Sequence, residues 1–271
     1  MASSSTFTAT DGDAYERQMG RWSRRLAEPF LDFAGPVGEG ERILDLGCGT
    51  GSLTLALARR SVTARVCGLD FSPAYVEYAR RRVGDDPRIG FQVGDACAMP
   101  FPEASFDRVL SLLVLHFVPR TPDAVAEMRR VARPGAVVAA AVWDARGGFV
   151  ANRVFFDTAA AFDPQADAAR ARNFTRPMTR PGELAAAWRT AGFQDVRDTA
   201  LTVRMDYADF EDYWQPLLGR QGPAADYVAS LDAAALGRLR EHIRRAYLDG
   251  EPDGPRSYAA TAWAVRGVTP G

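Results

Sequence analysis

Lysine is absent from the 271 residues, so all 33 side chains counted as Lys or Arg are arginines. A GC-rich coding genome imposes such a bias, which points to a bacterial source. Cysteine is scarce. Cys48, Cys67 and Cys97 form no CxxC pair, and with only two histidines, His116 and His242, no zinc spacing can be built. No metal is expected. An odd number of lone thiols argues against a disulfide scaffold and suits a reducing compartment. Positive charge is not in excess either: the formal net charge is −1. A duplex-binding surface needs basic excess to displace counterions, so nucleic acid is not the expected partner. No apolar run is long enough to span a bilayer. The first residues, Met1-Ala2-Ser3-Ser4-Ser5-Thr6, lack the basic and apolar regions of a secretory leader. The expectation is a cytoplasmic protein with no membrane partner. Its oligomeric state leaves no mark on the sequence.

The chain does contain 47% hydrophobic and 25% charged residues, an ordinary globular balance. The length suits one large α/β domain carrying insertions. Residues 1–12 are rich in Ser and Thr and are expected to be disordered. Tyr15, Met19, Trp22, Leu26 and Phe30 recur at helical spacing, and Pro36 and Gly38 close the segment. Residues 13–40 therefore read as an N-terminal lid helix. Short apolar runs at Ile43–Leu46, Val66–Asp70, Ile89–Val93, Phe106–Ser111 and Ala136–Trp143 read as strands. Helical stretches lie between them, one capped by Ser72 with Pro73 at its first position. The triplet Arg133-Pro134-Gly135 reads as a turn. Alternating strands and helices predict a doubly wound, mostly parallel α/β sheet covered on both faces. Further strands run through Val203 and over Ala259–Val268, and seven are expected in all. Residues from about 145 to 180 and from about 207 to 255 read as helical cap insertions in a domain spanning 41–271.

The strongest local signal is Asp45-Leu46-Gly47-Cys48-Gly49-Thr50-Gly51. A strand enters a loop with glycine at every second position, and a helix follows. Glycines permit the tight turn and leave no β-carbon in the way of a ligand. Asp70 ends the second strand about twenty residues further on, where a carboxylate can accept from ribose hydroxyls. Gly94-Asp95-Ala96 follows the third strand: Asp95 can accept from an adenine amine, and Ala96 offers its backbone amide. All of these stand at the carboxyl ends of consecutive strands, where open α/β sheets bind ligands.

Ile43–Gly51 resembles the first motif of the class I methyltransferases. Gly68-Leu69-Asp70-Phe71-Ser72 resembles the second and Gly94-Asp95-Ala96 the third. Phe106-Asp107-Arg108-Val109 and Arg133-Pro134-Gly135 resemble later landmarks, and Tyr15–Ser23 resembles the N-terminal helix of a bacterial subgroup. The resemblance is specific over about residues 13–144 and looser beyond. It departs at Ala136, where many members have a second glycine. It implies S-adenosylmethionine as cofactor and S-adenosylhomocysteine as product. Gly47, Gly49 and Gly51 would pass under the methionine part, and Asp45, Cys48 and Ser72 are further cofactor-binding candidates. Asp70 would hold the ribose, Phe71 would lie against the adenine, and Asp95 and Ala96 would read its edge. Leu112 would lie near the methionine end. Tyr15 and Arg21 would close over it, Arg21 pairing with the carboxylate. A nicotinamide dinucleotide is the alternative cofactor, but its fingerprint places the third glycine one position later, where this chain has Ser52.

The reaction implied is methyl transfer to a small, moderately apolar acceptor. His116, read as lying on the helix after the fourth strand, is the candidate base, its ordinary pKa of about 6.5 suiting proton removal. Packing alone also accounts for it. The insertions supply Phe149, Phe155, Tyr213 and Trp214 as candidate acceptor contacts, within a wider aromatic set of Phe156, Phe162, Tyr207 and Phe210. A cofactor-binding protein without turnover remains the alternative reading. The carboxylates Asp45, Asp70 and Asp95 argue against a decayed site, because clefted charges without partners are costly.

Overall fold

The computed structural model describes residues 5–7, 11–219 and 221–271. Helix α1 (Gly12–Tyr15) passes through a single π turn (Glu16–Gly20) into α2 (Arg21–Ala34). The α/β core follows as β1 (Arg42–Leu46), α3 (Ser52–Arg60), β2 (Arg65–Asp70), α4 (Pro73–Val83), β3 (Ile89–Val93), β4 (Phe106–Leu112), α5 (Thr121–Val131) and β5 (Ala132–Trp143). Then come α6 (Val150–Phe162), α7 (Pro164–Phe174), α8 (Glu183–Thr190) and β6 (Gln194–Tyr207). The chain finishes with α9 (Phe210–Trp214), α10 (Ala225–Ser230), α11 (Ala233–Leu248) and β7 (Arg256–Val268).

The seven strands form one sheet in the order β3-β2-β1-β4-β5-β7-β6. Only β7 runs against its neighbours; β1 pairs in parallel with β2 and β4, and β4 with β5. Central parallel strands are covered on both faces and so lack polar alternation. Ile43, Leu44 and Leu46 are accordingly all buried. The expected turn Arg133–Gly135 falls inside β5. The pairing register with β4 shifts there, and Gly135 has φ +77°, so the segment is a bulge that keeps the strand going.

Helix α2 is amphipathic. Trp22, Leu26, Ala27, Phe30, Leu31 and Ala34 are buried, while Arg25, Glu28 and Asp32 form ion pairs on the outer face. Most of the expected lid helix packs as a layer of the core, and the stretch up to Trp22 reaches the cavity described below. The expectation of disorder at residues 1–12 falls outside the described residues for 1–4 and 8–10. Thr6, by contrast, donates its amide to the Phe117 carbonyl at 2.9 Å, and Gly12 opens α1. Both stretches expected to be cap supply helices: α6 packs on α7 and α11. Among the described residues, no helix is long and apolar enough to cross a membrane.

Candidate active site

One large cavity opens above the carboxyl ends of β1, β2, β4 and β5, roofed by the cap and by the residues leading into α2. Its non-atom space is about 1510 Å3 when the open mouth is counted. Gly47, Gly49, Asp70, Phe71, Gly94, Ala96 and Leu112 form one end of its wall. Sequence reasoning draws these residues from four separate segments, and the fold brings them to one surface.

The three loop glycines serve different ends. Gly47, Gly49 and Gly51 have φ of +71°, +52° and +86°, a region that side-chain-bearing residues avoid. A β-carbon on Gly47 would fall 2.2 Å from Val114 Cγ2, so glycine is required there by packing. Gly49 has nothing nearer than Tyr15 Cε1 at 4.0 Å; it faces the open cavity. Gly51 turns toward Ala79 and Phe91, away from the cavity. The loop is pinned from below, with Gly47 N and Cys48 N both donating to the Leu69 carbonyl at 2.7 and 3.1 Å. The Cys48 side chain is buried against Gly68 and does not reach the wall.

The three carboxylates also part company. Asp70 lies in the wall, and its oxygens accept from Gly49 N and Ser72 N, each at 2.9 Å. Burial pushes its pKa up to about 6, against the pull of those bonds. Asp45 lies just beneath the loop, off the wall. Its Oδ2 accepts from Thr54 Oγ1 at 2.6 Å, while its buried Oδ1 has no partner. Burial, with the charge of Asp70 added, pushes Asp45 up to about 7. Asp95 is also off the wall: its Oδ1 accepts from Cys97 N at 2.8 Å and its Oδ2 faces Arg120 at 3.7 Å. Ser72 is buried as the N-cap of α4, its Oγ accepting from Tyr75 N at 3.3 Å.

Tyr15 reaches the cavity, 5.0 Å from the Tyr75 ring, with its hydroxyl 3.4 Å from Ser23 Oγ. Arg21 does not reach it. Its NH1 holds both oxygens of Asp212, at 2.8 and 3.0 Å, and its guanidinium lies 4.2 Å over the Trp22 ring. The expected pairing with a cofactor carboxylate gives way to a tie between α2 and the cap. Glu16 is the contact that sequence reasoning missed: it takes a hydrogen bond from Thr50 in the glycine loop and pairs with Arg24 and with Arg82, the latter at 3.1 Å.

The far end of the cavity is aromatic. Phe149, Phe155, Tyr207 and Tyr213 line it, together with the unanticipated Trp143, Asn152 and Asn173. Trp214 does not. It stacks on Phe210 at 6.0 Å within the cap core, and Phe156 is likewise fully buried away from the wall. Phe162 is exposed and stacks on His242 at 3.6 Å, in a different part of the cap. His116 lines the cavity from a single 3-10 turn (Leu115–Phe117), not from a helix. Burial, helped by the charge of Arg176, holds its imidazole well below its usual pKa, so it is neutral at physiological pH. Trp143 was within reach of sequence reasoning, since it ends a strand at the ligand-binding edge of the sheet. Asn173 carries no such signal.

Unpaired polar atoms gather here. Of the eight buried side-chain atoms without a partner among the described residues, Gln18 Oε1, His116 Nδ1, Trp143 Nε1 and Asn173 Nδ2 belong to cavity-lining residues. Two more, Asp45 Oδ1 and Ser52 Oγ, flank the glycine loop. Native proteins pair nearly all such groups, so their concentration around one cavity marks ligand partners.

The fold, with its cavity at the carboxyl ends of the strands, is that of a Rossmann-like α/β protein. Residues 44–140 match the methyltransferase domain family. An uncharacterized 37.1 kDa protein in transposon TN4556 of Streptomyces fradiae is 31% identical over 238 residues, covering 83% of this chain and 62% of that protein. The demethylmenaquinone methyltransferase of Thermus thermophilus is 37% identical over 116 residues, covering 42% of this chain and 50% of the enzyme. The chain therefore spans only about half to three-fifths of the length of these relatives. Among solved structures, a Haemonchus contortus phosphoethanolamine N-methyltransferase in complex with S-adenosyl-L-methionine superposes with a TM-score of 0.62 at 19% identity. That match covers 97% of this chain and 58% of the other. Residues 44–140 thus carry the pattern of a methyltransferase domain, and over nearly its whole length the chain shares the fold of that solved structure.

Proposed function

We propose that the chain transfers a methyl group from S-adenosylmethionine to a small, moderately apolar organic acceptor. The observation that carries this reading is one continuous cavity with a glycine loop and a ribose-type carboxylate at one end and an aromatic, nearly uncharged surface at the other. The residues present fit the cofactor. The space beside Gly49 is open, Asp70 stands in the wall, and Asp45 Oδ1 is a buried acceptor beneath the loop that lacks a donor. When bound, S-adenosylmethionine supplies a methyl group on a positively charged sulfur, which leaves as S-adenosylhomocysteine with the bonding electron pair.

Asp70 would accept from the ribose hydroxyls, and Phe71 would lie against the adenine with Gly94 and Ala96 at its edge. Asp45, beneath the glycine loop, would act on the methionine end only through that loop, and Tyr15 and Leu112 would cover that end. Phe149, Phe155 and Tyr213 would hold the acceptor in line and dry, which is the main contribution a protein makes to a displacement of this kind. Where the acceptor loses a proton, neutral His116 is the group in the wall able to take it. Calorimetry tests the reading without an acceptor: S-adenosylmethionine and S-adenosylhomocysteine should bind at micromolar levels and NAD should not. Binding of NAD, with no response to either sulfur nucleotide, would reject it.

A further inference from the structure

The acceptor half of the cavity has a charge asymmetry that narrows the acceptor's chemistry. Asp70, at the glycine-loop end, is the one acidic residue among the described residues lining the cavity. No carboxylate is therefore available in the wall around Trp143, Asn173 and His116. Just behind that wall stands Arg176. Its Nε donates to Asn173 Oδ1 at 3.3 Å, its NH1 to Thr6 Oγ1 at 3.2 Å, and its guanidinium lies 4.4 Å over the Phe117 ring. Among the described residues it pairs with no carboxylate. Loss of water and the neighbouring charge of Arg172 take its pKa down to about 10. A guanidinium that gives up water without gaining a counter-charge is destabilised, and an anion placed nearby would offset that cost.

Asn173 and His116 supply the contact atoms. Asn173 is 2% exposed, and because its Oδ1 accepts from Arg176, its Nδ2 remains to donate; that atom has no partner. His116 is 4% exposed, and its Nδ1 has no partner either. Buried polar atoms left unpaired are costly, so a ligand that pairs them gains by filling the site. A donor from Asn173, a neutral imidazole and a positive charge behind them match an oxygen that is, or readily becomes, an anion. A protonated amine would find no carboxylate here and would meet the Arg176 charge.

We propose that the acceptor is an oxygen acid on a flat apolar skeleton, either an ionisable hydroxyl or a carboxylate, and that Asn173, His116 and Arg176 form the subsite for that oxygen. The proposal rests on the methyltransferase reading above. Asn173 Nδ2 donates to the acceptor oxygen, and Arg176 favours its negative form through the Asn173 amide and by direct attraction. His116 accepts from the hydroxyl while the proton is still present. Arg176 is a positioning and charge-setting residue, since it reaches the acceptor through Asn173.

The test uses the full chain saturated with S-adenosylhomocysteine and three probes of one shape: 4-phenylphenol, biphenyl-4-carboxylate and 4-phenylbenzylamine. Calorimetry should show at least one oxygen acid binding about tenfold or more tighter than the amine, a difference that a single unscreened charge readily supplies. Preference for the phenol, with its ultraviolet ionisation shifted downward on binding, identifies a hydroxyl. Preference for the carboxylate identifies that group instead. Arg176→Gln should weaken the preferred acid by about tenfold and leave the amine no weaker, and Arg176→Lys should recover most of the acid's loss. The proposal is overturned if the amine binds as tightly as both acids, as an aromatic cage for cations would allow. It is equally overturned if Arg176→Gln weakens all three probes alike, which is the mark of a purely structural role, or if no probe binds. Failure of S-adenosylhomocysteine itself to bind would instead reject the methyltransferase reading.

Discussion

Val114 occupies the space that a side chain at position 47 would need: a β-carbon on Gly47 would lie 2.2 Å from Val114 Cγ2 and 2.6 Å from Cγ1. Gly47→Ala therefore forces both a backbone at φ +71° and a packing clash. It should destabilise the apo protein by roughly 2–4 kcal/mol. Adding Val114→Ala should restore part of that, leaving the backbone cost of about 1–2 kcal/mol. Denaturant unfolding of the single and double variants checks this, and equal stability of the two would show that the clash is not the cause.

Gly49→Ala should behave differently, because its β-carbon meets no protein atom nearer than 4.0 Å. Apo stability should fall by only the backbone cost of about 1–2 kcal/mol. Affinity for S-adenosylhomocysteine should fall by about tenfold or more, since the methyl would stand in the cradle a ligand needs. Retained affinity would remove Gly49 from the binding surface.

Asp45 and Asp70 ionise less readily in the folded protein, at about 7 and about 6, than the ordinary value of 3.8. Between those values the folded state holds more protons than the unfolded chain. The stability these groups contribute is thus full below about pH 4 and is lost as pH rises through 6 and 7. Asp45→Asn keeps an acceptor for Thr54 without the charge. The variant should gain on the wild type by on the order of 1–3 kcal/mol between pH 4 and pH 8 when both are unfolded without cofactor. A difference independent of pH would mean that Asp45 is already neutral, or already compensated, across the range.

Arg21 is committed to Asp212. Arg21→Ala and Asp212→Ala should therefore each cost stability, with a coupling of about 1 kcal/mol in a double-mutant cycle. Affinity for S-adenosylhomocysteine should change by less than about threefold. A tenfold loss on Arg21→Ala, absent in Asp212→Ala, would show that Arg21 leaves the cap to hold the cofactor.

The segment from Tyr15 to Gly20 borders the cavity and is tied to the glycine loop through Glu16 and Thr50. Its amides should exchange more slowly when S-adenosylhomocysteine is added. Amides from Leu26 to Leu31 should not respond, because that part of α2 is already core. Unchanged exchange at residues 15–20 would reduce the segment to a fixed wall.

Most of the sheet was legible because buried parallel strands are short apolar runs. Ile43–Leu46 lies within the buried β1, the half-exposed edge strand β3 has the expected bounds Ile89–Val93, and Ser72 is the N-cap of α4. The glycine loop was legible for the same local reason. What escaped depends on partners far away in sequence. Asp212 lies 191 residues from Arg21, so nothing near Arg21 reveals that its charge is taken. Tyr213 and Trp214 are neighbours on a helix, about 100° apart around its axis. Only the docking of α9 decides that the first reaches the cavity and the second the cap core. The amphipathic pattern of α2 showed that it covers something apolar without showing whether that is a ligand or a sheet. Asn173 sits in a polar run with no motif, and its unpaired nitrogen exists only in three dimensions.

The position of β7 has a consequence for how the molecule comes into being. It pairs on one side with β5 and on the other with β6, although both are made earlier in the chain. Until residues 256–268 emerge during synthesis, β5 presents an open row of backbone donors and acceptors, and β6 has no strand to join. The nascent chain thus carries a long unpaired strand with a run of small side chains at Ala139–Ala141, the kind of edge that recruits other chains. Assembly from β1 to β5 can begin early, but sealing the sheet is a late, long-range event. Slow sealing would make this protein's yield in a cell more sensitive to temperature and to chaperone supply than its finished stability suggests.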